Sequence, residues 1–232
     1  MNIDYKNTLI LFFLLIISCE YPKLTSDIII YENNFENNNL DNIEGGIINS
    51  FNGTKVNGFY NKDGFNIHLN NLDSHQYISI SFDLYIHGSW DGNKNGFKNN
   101  DKPDKWILEI RPDMNLHQNL DFQKWETTFS NSPCFSNWCR RQSYPNRYPY
   151  ENNPYSGASK INLPKTCDGA WGGESALYKI EKIFKHNGNA LVLRFYDELY
   201  QPNAIDSKGY SAELCDESWS IDNIKIRAIN YE

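Results

Sequence analysis

Residues 77–87 read YISISFDLYIH. Ile78, Ile80, Phe82, Leu84 and Ile86 recur at every second position, and Ser79, Ser81, Asp83 and Tyr85 fill the positions between. Period-two alternation of this length specifies a half-buried antiparallel strand, because successive side chains of a strand point to opposite faces. A helix would spread the same apolar residues round its whole circumference. Weaker versions of the pattern recur. Phe65, Ile67 and Leu69 alternate with Asn66 and His68, and further strand signals lie at 27–31, 106–110, 125–129, 177–184, 190–196 and 219–228. His186-Asn187-Gly188-Asn189, between two of these runs, reads as a hairpin turn. No stretch carries an amphipathic helix and no internal repeat is visible. Tyr, Phe, Ile and Asn dominate the chain, with aromatics at 15 %, which favours strands and turns. Many strands separated by Asn, Gly and Pro turns predict an all-β sandwich or barrel.

The N-terminus is of a different kind. Leu9 to Ile17 is uninterrupted apolar sequence preceded by Lys6, too short to span a bilayer and of the length of a signal-peptide core. It ends Ile16-Ile17-Ser18-Cys19, which resembles a bacterial lipoprotein lipobox. The resemblance implies cleavage before Cys19, acylation of its thiol and stable anchoring by several acyl chains. The expected organisation is a signal peptide at 1–18, a lipidated tether at 19–26 and one domain at 27–230. Glu20 stands where an inner-membrane retention Asp would, so the expected location is the outer membrane, on the extracytoplasmic side.

Assigning Cys19 to lipid leaves Cys134, Cys139, Cys167 and Cys215. An even number in an exported chain implies disulfides, with three possible pairings. Cys134–Cys139 and Cys167–Cys215 are favoured, the first closing a small loop and the second tying a long loop to the C-terminal strand. The spacings match no zinc motif. Three of the four lie in residues 131–173, a Pro-rich, aromatic stretch with no strand pattern. Long irregular segments inside compact domains usually carry function. Trp138, Tyr144, Tyr148, Tyr150, Tyr155 and Trp171, with Arg140 and Arg141, are its candidate ligand-binding residues, able to stack on sugar rings or peptide; any one of them is as well explained by packing the loop onto the sandwich, while the loop as a whole reads as a binding surface.

Four phrases suggest a family type: Asn34-Phe35-Glu36, Gly88-Ser89-Trp90-Asp91-Gly92-Asn93, Thr127-Thr128-Phe129-Ser130-Asn131, and Asp216-Glu217-Ser218-Trp219-Ser220-Ile221-Asp222-Asn223. Together they resemble extracellular jelly-roll modules of the concanavalin/laminin-G-like and carbohydrate-binding type. The resemblance implies an antiparallel jelly-roll sandwich, binding or adhesion more often than catalysis, and a structural calcium shared by an acidic residue after the first strand and the Asp of the terminal strand. The cysteine-rich insertion at 133–167 departs from the pattern.

Two groups of oxygen donors are the candidate calcium ligands. Asp91, Asn93 and Asn95 alternate as a calcium loop requires, with Gly96 for the turn. Lys102 holds the place of the usual final Glu, so Asp101 or Asp104 would substitute. Asp216, Glu217 and Asp222, with Glu36, form the second group. An Asn/Gly turn and solvated strand-end carboxylates explain the same residues without a metal.

The formal net charge of -7 argues against a nucleic-acid partner, which calls for clustered Lys and Arg. Glu109 and Glu126 could serve as a glycosidase pair, but strands routinely present Glu to solvent. The five histidines are scattered, with no H-E-x-x-H spacing. The leading expectation is a calcium-stabilised, lipid-anchored module that binds glycan or a cell-surface partner. A polysaccharide hydrolase or lyase on the same fold, and a purely structural envelope lipoprotein, are the alternatives.

Overall fold

The computed structural model describes residues 21–94, 102–111, 122–135, 139–167, 173–201, 204 and 212–232. In chain order its strands are β1 (Leu24–Asn33), β2 (Ile43–Glu44), β3 (Ile48–Phe51), β4 (Thr54–Tyr60), β5 (Gly64–Asn70) and β6 (Tyr77–Gly88). They continue with β7 (Lys105–Arg111), β8 (Gln123–Thr128), β9 (Lys160–Leu163), β10 (Ser175–Lys185), β11 (Ala190–Glu198) and β12 (Glu217–Tyr231). A single helical turn, α1 (Glu213–Asp216), leads into β12.

The strands form two antiparallel sheets. One has the order β3-β4-β12-β6-β10-β9, with β1 beside the second half of β12; the other runs β2-β5-β11-β7-β8. β5 to β6, β6 to β7, β10 to β11 and β11 to β12 each cross from one sheet to the other, which makes the sandwich a jelly roll. The 186–189 turn is therefore an arch between sheets. The sequence reads it as a hairpin because a hairpin and an arch use the same turn residues, and only the partners of β10 and β11 tell them apart.

The alternation in β6 is realised. Ile78, Ile80, Phe82, Leu84 and Ile86 all enter the main core, where Leu193 and Phe195 of β11 and Leu108 and Ile110 of β7 meet them from the other sheet. Trp106 sits among Phe82, Trp125, Phe195 and Trp219, with ring centroids 5.5–6.1 Å apart. The strand β1 starts at Leu24, which pairs with Tyr231, so the sheet begins inside the stretch expected to be tether.

β12 breaks its own alternation. Trp219 and Ile221 point inward, and so do Ile224, Ile226 and Ala228. The parity changes at a register shift between Asp222 and Lys225 against β6. Asn223 supplies the left-handed residue there, at φ 51°. Such a bulge turns two successive side chains outward. In the sequence it is visible as the interval Ile221-Asp222-Asn223-Ile224.

Both disulfides have the expected pairing, Cys134–Cys139 and Cys167–Cys215. The insertion they hold is packed onto the sandwich. The buried Gln142 accepts from the amides of Ser130 and Tyr155 (3.1 and 3.0 Å) and donates to the carbonyls of Tyr144 and Ser156 (3.0 and 2.9 Å). One side chain thereby fixes both flanks of the loop.

Candidate functional site

The outer face of the larger sheet carries a groove of about 840 Å³ where β10, β6 and β12 meet the loop after β1. The β12 bulge builds its floor. Asp83 of β6 accepts from Lys179 Nζ (2.8 and 3.1 Å) and from Asn223 Nδ2 (3.0 Å). Glu181 accepts from Ser79 Oγ (2.9 Å) and Arg227 Nη2 (2.5 Å). Asn33, Asn34, Asn37 and Asn39 form the rim.

The rim is anchored by Phe35. Its ring is fully buried although its backbone is left-handed, at φ 60°, and Asn33 Oδ1 accepts its amide (2.8 Å). Burying the middle residue of Asn34-Phe35-Glu36 leaves its neighbours at the surface. Glu36 accepts from the Thr54 hydroxyl and from the Lys55 amide (3.0 Å). The same hydroxyl lies 3.2 Å from Asp222 Oδ2. Glu36, Thr54 and Asp222 thus converge beside the groove. Burial pushes Asp222 up to about 6, against the bonds from Asn223 and Thr54, and Asp83 and Glu36 add repulsion. Glu36, at the surface, is held below its usual value by the Thr54 hydroxyl and the Lys55 amide.

The remaining expected metal ligands regroup. Glu217 and Asp222 are five positions apart on one strand, hence roughly 16 Å, and cannot share an ion. Asp216 is engaged by Ser89 Oγ (2.8 Å) and Gln201 Nε2 (3.2 Å). Glu217 instead meets Asp91 and Asp104, residues from the two ends of the β6–β7 connection, with one carboxylate oxygen from each within 4.8 Å of the others. Burial, then Asp104 and Asp216, push the Glu217 carboxyl well above its usual range, and Arg140 only partly opposes them. Gly88 permits this approach: at φ 80°, a Cβ there would stand 1.9 Å from the Asp216 carbonyl.

Of the expected Asp91-x-Asn93 ligands, Asn93 is engaged elsewhere. Asn93 Oδ1 accepts from Thr128 Oγ1 (2.5 Å) and Ser143 Oγ (2.7 Å), and its Nδ2 donates to the Tyr150 carbonyl (2.6 Å). Its carboxamide ties down the insertion, while Asp91 turns inward to pair with Arg140. Asn95 lies outside the described residues.

Of the described candidates in the aromatic insertion, Tyr144 and Tyr155 are packing residues. Tyr144 is buried against Trp125, Phe129 and Tyr178, so it cannot receive a ligand. Tyr155 packs against the core, and its hydroxyl donates to the Asn131 carbonyl. Arg140 faces the carboxylates of Asp91, Asp216 and Glu217, and Arg141 pairs with Asn153. Tyr148 lies under Lys105 Nζ (4.9 Å) at a second groove, and Tyr150 is exposed. Trp138, Trp171 and Cys19 lie outside the described residues.

Glu109 and Glu126 are on the opposite sheet and each is neutralised. Glu109 bonds Tyr196 Oη (2.5 Å) and Arg111 Nη2 (2.6 Å), and Glu126 bonds Lys124 Nζ (2.7 Å). In both, these partners outweigh burial and hold the carboxyl below its usual value, the opposite of what a general acid needs.

Asp83, Lys179 and Thr54 had no place among the expected site residues. Asp83 stood out only as a charge on the polar face of β6; its partners come from β10 and β12, 96 and 140 residues away.

No family model matches the sequence, and no curated protein matches it. Among solved structures, similarity extends to a family 35 carbohydrate-binding module from Clostridium thermocellum, at 11 % identity over 87 % of this chain and 98 % of that one, with a TM-score of 0.31. A non-crystalline-cellulose-specific module of the type CBM28 is 11 % identical over 86 % of this chain and 92 % of that one, with a TM-score of 0.33. Likeness at this level bears on neither ligand nor site.

Proposed function

We propose that the domain is a glycan-binding module and that the groove over β6, β10 and β12 is its binding face. The carrying observation is the groove itself: large, open and lined by amides, carboxylates and amines. Its volume is within the roughly 300–1,000 Å³ usual for small-ligand sites. Sugar hydroxyls both donate and accept, and Asp83, Asn223, Lys179 and Glu181 offer both roles across a short span. Because their charges are already paired in the free protein, little ordering is required on binding. Recognition in this reading runs through hydrogen bonds, since no described aromatic of the insertion lines the groove. The acylated Cys19 would display the module on the outer membrane.

A glycan array probed with the full chain tests this reading. Asp83→Ala and Asn223→Ala should each weaken the strongest signal by roughly tenfold, as expected for a hydrogen bond to a charged group. Glu126→Gln, on the far sheet, should change nothing. Absence of any glycan signal, or wild-type signal in both groove variants, would remove the reading.

The proposal includes calcium at Glu36, Thr54 and Asp222. The donors fit a hard cation: all are oxygens, two are carboxylates, and they already converge without an ion. Such an ion would hold the β1–β2 loop against β12 and so keep the rim in place. Saturating calcium should raise the melting temperature, since an ion at a hundred times its Kd adds about 2.7 kcal/mol by linkage. Asp222→Asn should remove part of that increment. Identical melting of wild type in chelator and in millimolar calcium would exclude it.

A further inference from the structure

We infer that Asp91, Asp104 and Glu217 form a second, buried site for a divalent cation of the calcium class, distinct from the Glu36–Thr54–Asp222 cluster. The three residues are 5 %, 0 % and 2 % exposed. Their oxygens lie within 4.8 Å of one another. Ligands on opposite sides of one calcium, each at 2.3–2.6 Å, are about 5 Å apart, so one ion can span the set.

Charge points the same way. Among the described residues, the three carboxylates face the guanidinium of Arg140, which pairs with Asp91. Buried charge is tolerated only when paired or bound to metal. A divalent cation at their centre would offset all three.

The second observation is independent of the count. Glu217 Oε2 is buried and has no hydrogen-bond partner. Asp104, by contrast, is already oriented: its Oδ2 accepts from the Asp91 amide (2.9 Å) and its Oδ1 from the Tyr200 amide (3.3 Å). Amide bonds of this kind fix a carboxylate's orientation, as the outer partners of a metal ligand do. An oriented carboxylate beside an unsatisfied one is what a site prepared for a hard cation contains. The ion would join the end of β6, the start of β7 and the start of β12, next to the Cys167–Cys215 bridge.

Calcium uptake by the purified full chain, stripped with chelator and dialysed against Ca²⁺ alone, tests the site. Glu217→Gln is nearly isosteric. It should bind one equivalent fewer than wild type, or bind that equivalent at least roughly tenfold more weakly, since affinity follows ligand charge. Asp91→Asn, on another element, should do the same. Asp222→Asn must leave this equivalent intact, which separates the site from the Glu36–Asp222 cluster. Metal-free E217Q should be at least as heat-stable as metal-free wild type, because Glu217 Oε2 has no hydrogen-bond partner to lose. Wild-type uptake in both E217Q and D91N, or no uptake by wild type, overturns the inference. Failure of metal-free E217Q to fold also counts against it, because the carboxylate would then be serving the metal-free fold.

Discussion

Replacing Trp219 by alanine is expected to cost about 4–5 kcal/mol, from the cavity left by a fully buried Trp and from one lost buried hydrogen bond. Trp219 is wholly buried and packs on Tyr60 and Trp106, with ring centroids 4.8 and 5.7 Å away. Its indole Nε1 also donates to Asp197 Oδ2 at 2.7 Å. Asp197 in turn accepts the Lys62 amide (2.8 Å) and the Leu199 amide (3.2 Å), which fixes the turn into β5 and the end of β11. Removing the indole therefore opens a cavity at the meeting of both sheets and withdraws one partner from a buried carboxylate. Against a total of about 5–15 kcal/mol for a domain, the variant should be largely unfolded in urea concentrations that leave wild type folded. Trp219→Phe retains most of the packing and should lose about 1–3 kcal/mol, the share of the hydrogen bond. Urea titrations of both variants decide it. A loss below about 2 kcal/mol for W219A would mean that the core closes over the gap.

Acid should unfold the protein steeply below pH 4, with His87 as a principal cause. His87 is completely buried between Ser175 Oγ and Ser220 Oγ, each 2.8 Å from a ring nitrogen. Burial pushes its pKa down to about 3, against an ordinary value near 6.5. A depressed folded-state pKa means that the unfolded chain takes up the proton first. The contribution is intact above about pH 6.5 and is lost as pH falls toward 3, on the order of 5 kcal/mol in all. His186 is pushed the same way by burial and by His75. Asp197 has the opposite sign. Burial raises its pKa to about 6 despite its four hydrogen bonds, so its penalty at neutral pH is relieved as pH falls from about 6 to about 4, by up to about 3 kcal/mol. The two effects partly cancel in that window. Below pH 4 Asp197 has nothing more to return, whereas His87 is still losing. The expected profile is shallow from pH 6 to 4 and steep beneath. His87→Gln, which cannot charge, should move the acid midpoint downward. An unchanged midpoint in that variant would falsify the assignment to His87.

Much of this protein follows from its sequence through local periodicity. The all-β class, the inward row of β6 and the start of the terminal strand are legible because a strand must alternate to bury one face. The disulfide pairing was readable as well, from an even cysteine count and loop lengths. Asp222 and Glu36 could be named as partners on resemblance, and the β12 bulge is written in the spacing of Ile221 and Ile224.

What only the tertiary structure decided is which separated residues meet. The sequence put Asp91 and Asp104 in one candidate group and Glu217 in another, and only the fold brings Glu217 to the other two. Neighbours on a strand point to opposite faces or lie several rises apart, so local clustering of carboxylates is poor evidence of a shared ion. The insertion shows the same in reverse. Tyr144 and Tyr155 look like a binding surface by composition, but Tyr144 packs on Trp125, Phe129 and Tyr178, and burying aromatic area there stabilises the fold more than displaying it to water. The groove was invisible for the corresponding reason: Asp83, Lys179 and Asn223 become one surface only when β6 pairs with β10 and β12, and pairing over 96 and 140 residues leaves no trace in any local window.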